Sequence, residues 1–292
     1  MQPHHLCLRS LELTFNQGRV NEVRALRGLS LDVDAGEFVV VVGSNGAGKS
    51  TMLNAIAGVH LPDRGTIELA GTDLTEQADH RRARVIGRVF QDPLAGTAPS
   101  LTIEENLMLA ERRGRRRRFR RPSNPARREE ALASLGMGLE HRLRARVSTL
   151  SGGQRQALSV LMAMQAEPSL LLLDEHTAAL DPGAAHRVLD VSTRLAAERG
   201  ITTLMVTHNM THAVEVGDRT VMLHEGRTLF DLHGEERANL TVADLVARFH
   251  ELAGDGLTDR ELLSAPPSLQ TTELSASTPV AAQTGRNQGG SR

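Results

Sequence analysis

Leu6, Leu8, Leu11 and Leu13 alternate loosely with polar positions, and so do Leu29, Leu31 and Val33. This period of two on either side of Asn16-Gln17-Gly18 predicts antiparallel strands over residues 6–35. Phe38-Val39-Val40-Val41-Val42 does not alternate. An unbroken apolar, β-branched run predicts a strand buried on both faces, as in a parallel sheet. Thr51 to Ala57 has a helical pattern, and Gly58 stops it. Thr66-Ile67-Glu68-Leu69 and Val85 to Phe90 predict further strands. Between residues 100 and 150 the spacing is helical, through Ile103, Leu107 and Leu109, then Ala131, Leu132 and Leu135. From 151 to 223 an α/β alternation returns: a helix, Leu170 to Leu173, a second helix, and Ile201 to Val206. His224-Glu225-Gly226-Arg227 predicts a hairpin turn. Thr241 to Leu252 predicts an amphipathic helix with Thr241 as its N-cap. Residues 254–292 are rich in Ser, Thr, Gly, Gln, Ala and Pro with little periodicity, which predicts a disordered tail.

Composition narrows the picture. The chain has 292 residues, 40% of them hydrophobic, enough for one or two domains with a real core. A formal charge of −1 argues against binding nucleic acid by bulk charge. A single cysteine, Cys7, excludes an internal disulfide framework. No apolar run approaches the length of a membrane span, so any membrane role is expected to go through a partner. The N-terminus lacks the build of a signal peptide.

The chain holds one lysine, Lys49; every other cationic side chain is Arg. It lies in Gly43-Ser44-Asn45-Gly46-Ala47-Gly48-Lys49-Ser50-Thr51, between the Phe38–Val42 strand and the Thr51–Ala57 helix. Strand, glycine-rich loop and helix form the order that a phosphate cradle needs, because backbone N–H groups at a helix N-terminus attract anions. In such a loop the Lys reaches the β- and γ-phosphates and the Ser hydroxyl ligates Mg²⁺. A planar guanidinium is a poor substitute for a compact ammonium there. The plain alternative is a glycine-rich turn without a nucleotide.

Other residues supply the rest of such a site. Asp174 ends the apolar run Leu170–Leu173, where ligands bind in open α/β sheets, and is a second candidate for Mg²⁺. Glu175 follows and is a candidate general base. His208 ends another strand and is placed to contact a γ-phosphate, although a lone histidine is by default structural. Gln91 ends Val89-Phe90-Gln91 and can reach the metal or the attacking water. Leu150-Ser151-Gly152-Gly153-Gln154 combines a Ser N-cap, two glycines and a long helix, a second phosphate-sized anion site. Two separate cradles in one chain suggest that two copies complete each other. The arginine-rich run Arg112 to Arg121 reads most simply as a solvated loop; contact with headgroups, RNA or an acidic partner is the functional alternative.

Together these motifs resemble the full series of an ABC-type ATPase, over roughly residues 6–232. The resemblance implies a P-loop NTPase core of ABC type with an antiparallel β subdomain and an inserted α-helical subdomain. It places the ATPase domain at 6–252, the helical subdomain at about 95–155 and a tail at 253–292. It implies that Phe15 stacks on adenine with Val23 nearby, and that Gly43 to Thr51 hold the phosphates. Ser50, Gln91 and Asp174 then serve Mg²⁺, Glu175 is the base and His208 senses the γ-phosphate. Ser151, Gly152, Gly153 and Gln154 are expected to bind the nucleotide of the other subunit of a homodimer, with Asp181 at the seam. Phe15 departs from the usual Tyr, and His176 stands where Pro is typical. His176 as an alternative base is a minor reading beside packing against Glu175. Asp174 to Pro182, Val206 to Met210 and Gly96 to Ser100 are similar to a poorly characterised bacterial import group, some of which is linked to amino acids.

The resemblance thus implies an ATP-hydrolysing subunit on the cytoplasmic face of a bacterial membrane. Its partners would be separate permease chains and, indirectly, a substrate-binding protein, with no nucleic acid. The alternative is a soluble ABC ATPase acting on DNA or ribosomes. Residues 92–150 are too few for the coiled coil of the repair type, and translation-type chains carry two cassettes.

Overall fold

The computed structural model describes residues 4–112 and 124–253. The arginine run beyond Arg112 and the C-terminal tail lie outside the described residues.

The chain opens with β1 (Leu6–Phe15) and β2 (Val23–Val33), paired antiparallel with Leu6 opposite Val33 and Leu8 opposite Leu31. Leu6, Leu8, Leu11 and Leu13 are all buried, and the irregularity between Leu8 and Leu11, with Ser10 at φ 45°, brings the second pair to the same face across a spacing of three. Next come β3 (Phe38–Val42), α1 (Lys49–Ala57), β4 (Arg64–Leu69), β5 (Thr72–Asp73), α2 (Asp79–Arg82) and β6 (Ile86–Val89). The middle of the chain supplies α3 (Ile103–Arg112), α4 (Pro125–Ala133), a short 3₁₀ turn at Val147–Thr149 and α5 (Gly152–Met164). Then follow β7 (Leu170–Asp174), α6 (Pro182–Arg199), β8 (Thr202–Val206), α7 (Met210–Glu215), β9 (Arg219–His224), β10 (Arg227–His233), α8 (Gly234–Ala238) and α9 (Val242–Ala253).

Two sheets result. One has the order β2-β1-β4-β5, the other β10-β9-β3-β8-β7-β6. In the larger sheet β9, β3, β8, β7 and β6 run parallel, and only β10 is antiparallel. Every residue of β3 is buried, and successive side chains enter different cores. Val39 and Val41 join Leu170, Leu172 and Leu204 beneath α1 and the smaller sheet. Val40 and Val42 join Leu171, Leu173 and Met205 against α3, α5 and α6. A strand covered on both faces has no polar side, which is why these strands read as unbroken apolar runs.

The helical spacing over residues 100–150 needs one correction. The buried stripe of α3 is Ile103, Asn106, Leu107 and Ala110, whereas Leu109 is 53% exposed. Leu109 falls outside the i, i+4, i+7 row that starts at Ile103. Asn106 is buried because it ties down the preceding loop. Its Oδ1 accepts from the Ala98 amide at 2.8 Å, and its Nδ2 donates to the Ala98 carbonyl at 3.0 Å. The hairpin at Glu225-Gly226 forms with positive φ at both residues, 45° and 77°, as a tight two-residue turn requires. Thr241 caps α9 reciprocally with Asp244, and Leu245 and Phe249 seat that helix on the core.

Arg82 is fully buried and caps the C-terminal end of α1. Its Nη1 donates to the Ala55 and Ile56 carbonyls at 2.7 and 2.9 Å, its Nε to Gln77 O and its Nη2 to Thr75 O. The last carbonyls of a helix have no intrahelical donor, so this cation replaces water at a buried helix end. Arg82→Met should strand several carbonyls. With charged hydrogen bonds worth about 1.5–3 kcal/mol each, the expected loss of unfolding free energy is roughly 3 kcal/mol or more. Urea denaturation checks this; an unchanged midpoint contradicts it.

Candidate active site

The spatial order β3-β8-β7-β6 brings four parallel strand ends to one edge of the sheet. The loop 43–51 follows β3, His208 follows β8, Asp174 ends β7, and Gln91 lies just beyond β6. The register pairs Asp174 with Val206 and Leu173 with Val89, so these positions are neighbours by strand pairing alone. Residues separated by up to 165 positions in sequence are thereby gathered at the carboxyl ends of the strands, where α/β sheets hold ligands.

The loop itself is shaped by its glycines. Gly43 has φ +151°, and a Cβ there would lie 2.2 Å from the Leu223 carbonyl oxygen. Gly48 has φ +97°, and a Cβ there would meet Ala25 O at 2.7 Å. The β9–β10 turn braces the loop from behind, since Gly226 N–H donates to Ala47 O at 3.0 Å. Lys49 is 6% exposed. Its Nζ donates to Gly43 O at 2.6 Å and Ser44 O at 3.0 Å. Burial lowers its pKa, an effect partly offset by the Glu175 and Asp174 carboxylates. Ser50 and Asn45 are exposed.

Glu175 adopts φ 44°, a left-handed conformation unusual for a residue with a side chain. Its amide donates to Val206 O at 3.0 Å, which pins it beside β8. Its Oε2 lies 3.2 Å from His208 Nδ1. The hydrogen bond to His208 is the main cause that lowers the Glu175 pKa, against the opposing effect of burial. The same bond raises the His208 pKa. The pair is therefore biased toward carboxylate and imidazolium.

His176 is 2% exposed and hydrogen-bonded to Ser192 Oγ at 3.1 Å. The Ser192 hydroxyl already donates to Val188 O at 2.7 Å, so His176 Nε2 must carry the proton and donate. Burial, with a smaller contribution from His212, pushes the His176 pKa down to about 3. His176 is a packing residue joined to α6, and the alternative-base reading is set aside. Phe15 is half-buried, pairs in register with Val23 across the β1–β2 ladder, and meets His60 edge-on at 5.1 Å.

Ser151 and Gln154 form a capping box at the start of α5: Gln154 N–H donates to Ser151 Oγ, and Ser151 N–H to Gln154 Oε1. The glycines here serve packing. A Cβ on Gly153 would lie 2.9 Å from Ala184 Cβ, and one on Gly152 would lie 3.2 Å from Leu180. Asp181 is the N-cap of α6, accepting from Ala184 N–H at 2.9 Å. This group sits at the α5–α6 packing, while Lys49, Asp174, Glu175 and His208 belong to the strand-end cluster. Sequence reading missed Arg88, whose Nη2 donates to Asp174 Oδ2 at 2.8 Å. The signal was a charged residue inside the apolar run Ile86 to Phe90.

Residues 26–178 match the model of the ABC transporter family. The tyrosine transport ATP-binding protein of Clostridioides difficile (strain R20291) is 45% identical over 225 residues, 76% of this chain and 89% of that protein. Among solved structures, the ADP conformation of an ATP-binding cassette of an ABC transporter matches with TM-score 0.70 and 25% identity, covering 84% of this chain and 98% of that one. A dimeric post-hydrolysis cassette bound to ADP and Pi matches with TM-score 0.66 and 29% identity, over 78% and 98% of the two chains. The chain belongs to the ABC transporter family, as an ATP-binding and ATP-hydrolysing subunit. Among the described residues no helix is long and apolar enough to cross a membrane.

Proposed function

We propose that the chain powers solute import by hydrolysing ATP at the strand-end cluster, as one half of a homodimer on the cytoplasmic face of a bacterial membrane. The observation that carries the reading is Glu175 held 3.2 Å from His208 and electrostatically coupled to buried Lys49. Phe15 stacks on the adenine beside Val23. The backbone of Gly43 to Thr51 cradles the phosphates. Two of the three Lys49 donors are used on Gly43 and Ser44, leaving the third for a phosphate oxygen. Glu175 takes the proton of the attacking water, and His208 contacts the γ-phosphate.

The donor set at this edge fits Mg²⁺. The Ser50 hydroxyl, the Gln91 amide oxygen and the Asp174 carboxylate are hard oxygens with a single carboxylate among them, and Mg²⁺ sites pair few carboxylates with substrate phosphates. Bound there, the ion would neutralise charge on the β- and γ-oxygens. Ser151, Gly152, Gly153 and Gln154 close over the nucleotide of the other copy, with Asp181 at the seam. The dimeric form of the post-hydrolysis cassette supports this pairing. The 6–252 unit, with its helical part at about 95–155, would dock on separate permease chains fed by a substrate-binding protein. An amino acid is the proposed cargo class, supported by the relative named for tyrosine transport. Uptake of labelled amino acids, tyrosine among them, by vesicles containing the chain and its permease tests the cargo class; uptake of other solutes with every amino acid excluded would refute it.

Lys49 offers a direct test of the cradle. Lys49→Ala should weaken ATP binding at least about tenfold, since a charge-assisted bond contributes about 1.5–3 kcal/mol. Lys49→Arg should rescue poorly, because a larger planar guanidinium does not fit the buried space of a compact ammonium beside the phosphates. Full binding by the Arg variant in equilibrium dialysis contradicts the reading.

A further inference from the structure

Strand β6 packs Ile86 and Val89 into the core, yet between them stands Arg88. Its side chain is 11% exposed, and that of Asp174 is 14% exposed. The guanidinium reaches two elements at once. Nη2 donates to Asp174 Oδ2 at 2.8 Å on β7, and Nη1 donates to Asn54 Oδ1 at 2.8 Å on α1. It lies 4.8 Å above the Phe90 ring, and its buried Nε has no partner. Ion pairs with so little water access repay their desolvation only when geometry is good. A Val or Ile would fill this strand position without that cost.

The elements that Arg88 joins carry all three oxygen donors assigned above to Mg²⁺. Asn54 lies one turn beyond Ser50 on the same face of α1. Asp174 is a donor itself. Gln91 lies three residues further along the chain from Arg88. The contact uses Oδ2 of Asp174 and leaves Oδ1 outside this bond. We propose that Arg88 is a positioning residue for the Mg²⁺ ligand set: one forked cation fixes the spacing between the helix of Ser50, the strand of Asp174 and the segment of Gln91. Arg suits the task because its planar fork holds two acceptors in fixed directions, which an ammonium does not. The opposite role, a cation that repels the metal, would change Mg²⁺ affinity with the other sign.

The inference rests on the ligand reading of Ser50, Gln91 and Asp174, so its test includes a control for that reading. The full-length chain is mixed with a fluorescent N-methylanthraniloyl-ATP, first in EDTA and then with rising Mg²⁺. Arg88→Met should raise the half-saturating Mg²⁺ concentration about 10–100-fold, the usual effect of losing a residue that orients a metal ligand. Nucleotide affinity in EDTA should stay unchanged, because the backbone cradle is untouched. Arg88→Lys should recover part of the effect, and Asn54→Ala should reproduce a smaller part. If Arg88→Met does not fold by thermal melting, Arg88→Lys and Asn54→Ala supply the same readings. Unchanged Mg²⁺ dependence in these variants, with a shifted dependence in Ser50→Ala, overturns the role of Arg88 alone. A lowered half-saturation in Arg88→Met also overturns it, in favour of repulsion. No shift in Ser50→Ala removes the ligand reading and this inference with it.

Discussion

Glu175→Gln should lose about 10²–10⁴-fold in ATP hydrolysis, the range expected for removal of a general base. The change is nearly isosteric. A Gln side-chain oxygen can still accept from His208 Nδ1, and the backbone bond from residue 175 to Val206 O is retained. What disappears is the negative charge that draws the proton from water. ATP binding should survive, because Lys49 and the glycine-rich loop are held by bonds to Gly43, Ser44 and Gly226 rather than by Glu175. Phosphate release and nucleotide binding are measured on the same preparation. Wild-type turnover would remove Glu175 from its role, and loss of binding would make it a structural residue.

The second large effect concerns Ser151. Ser151→Arg should abolish hydrolysis while leaving ATP binding to a single copy nearly intact. Ser151 is exposed at the start of α5, and its own bonds are local to the capping box with Gln154. An arginine there would place a bulky cation at an N-terminal turn that already favours anions, which destabilises the turn and blocks approach of a phosphate. If the two cradles work across a dimer, Ser151→Arg and Lys49→Ala chains complement each other. Each mixed dimer then contains one site with both an intact loop 43–51 and an intact Ser151 turn. ATPase rate against mixing ratio, with the permease present, should pass through a maximum near equal amounts. A flat profile, combined with no disulfide crosslink between a Ser151→Cys chain and an Asn45→Cys chain, would contradict the composite site.

Much of this arrangement is written in short stretches of chain. The Phe38–Val42 run, the loop to Thr51 and the helix that follows are contiguous, so local pattern suffices to predict a phosphate cradle. The same holds for Leu170 to Glu175 and for the Thr241 cap of α9. Features that depend on a distant partner are not legible in this way. Arg88 meets an aspartate 86 positions away, and Arg82 caps carbonyls 26 and 27 positions away. Nothing near either arginine in sequence announces the acceptor. Gly153 is similar: nothing beside it in sequence shows that a Cβ there would also meet Ala184 on α6. Leu109 differs, because a residue six positions after Ile103 lies off the buried row, so the period itself puts this leucine on the exposed side of α3.

The central claim is that the strand-end cluster both binds and cleaves ATP, with Glu175 needed only for the cleavage. The most direct test is the chemical identity of the nucleotide retained by the Glu175→Gln chain after incubation with Mg²⁺ and ATP. Rapid gel filtration followed by acid quench and ion-exchange chromatography should recover intact ATP, co-eluting with protein at the mass of a dimer. The wild-type chain under the same conditions should yield ADP. Recovery of ADP from the Glu175→Gln chain would contradict the account, because cleavage would then proceed without the proposed base.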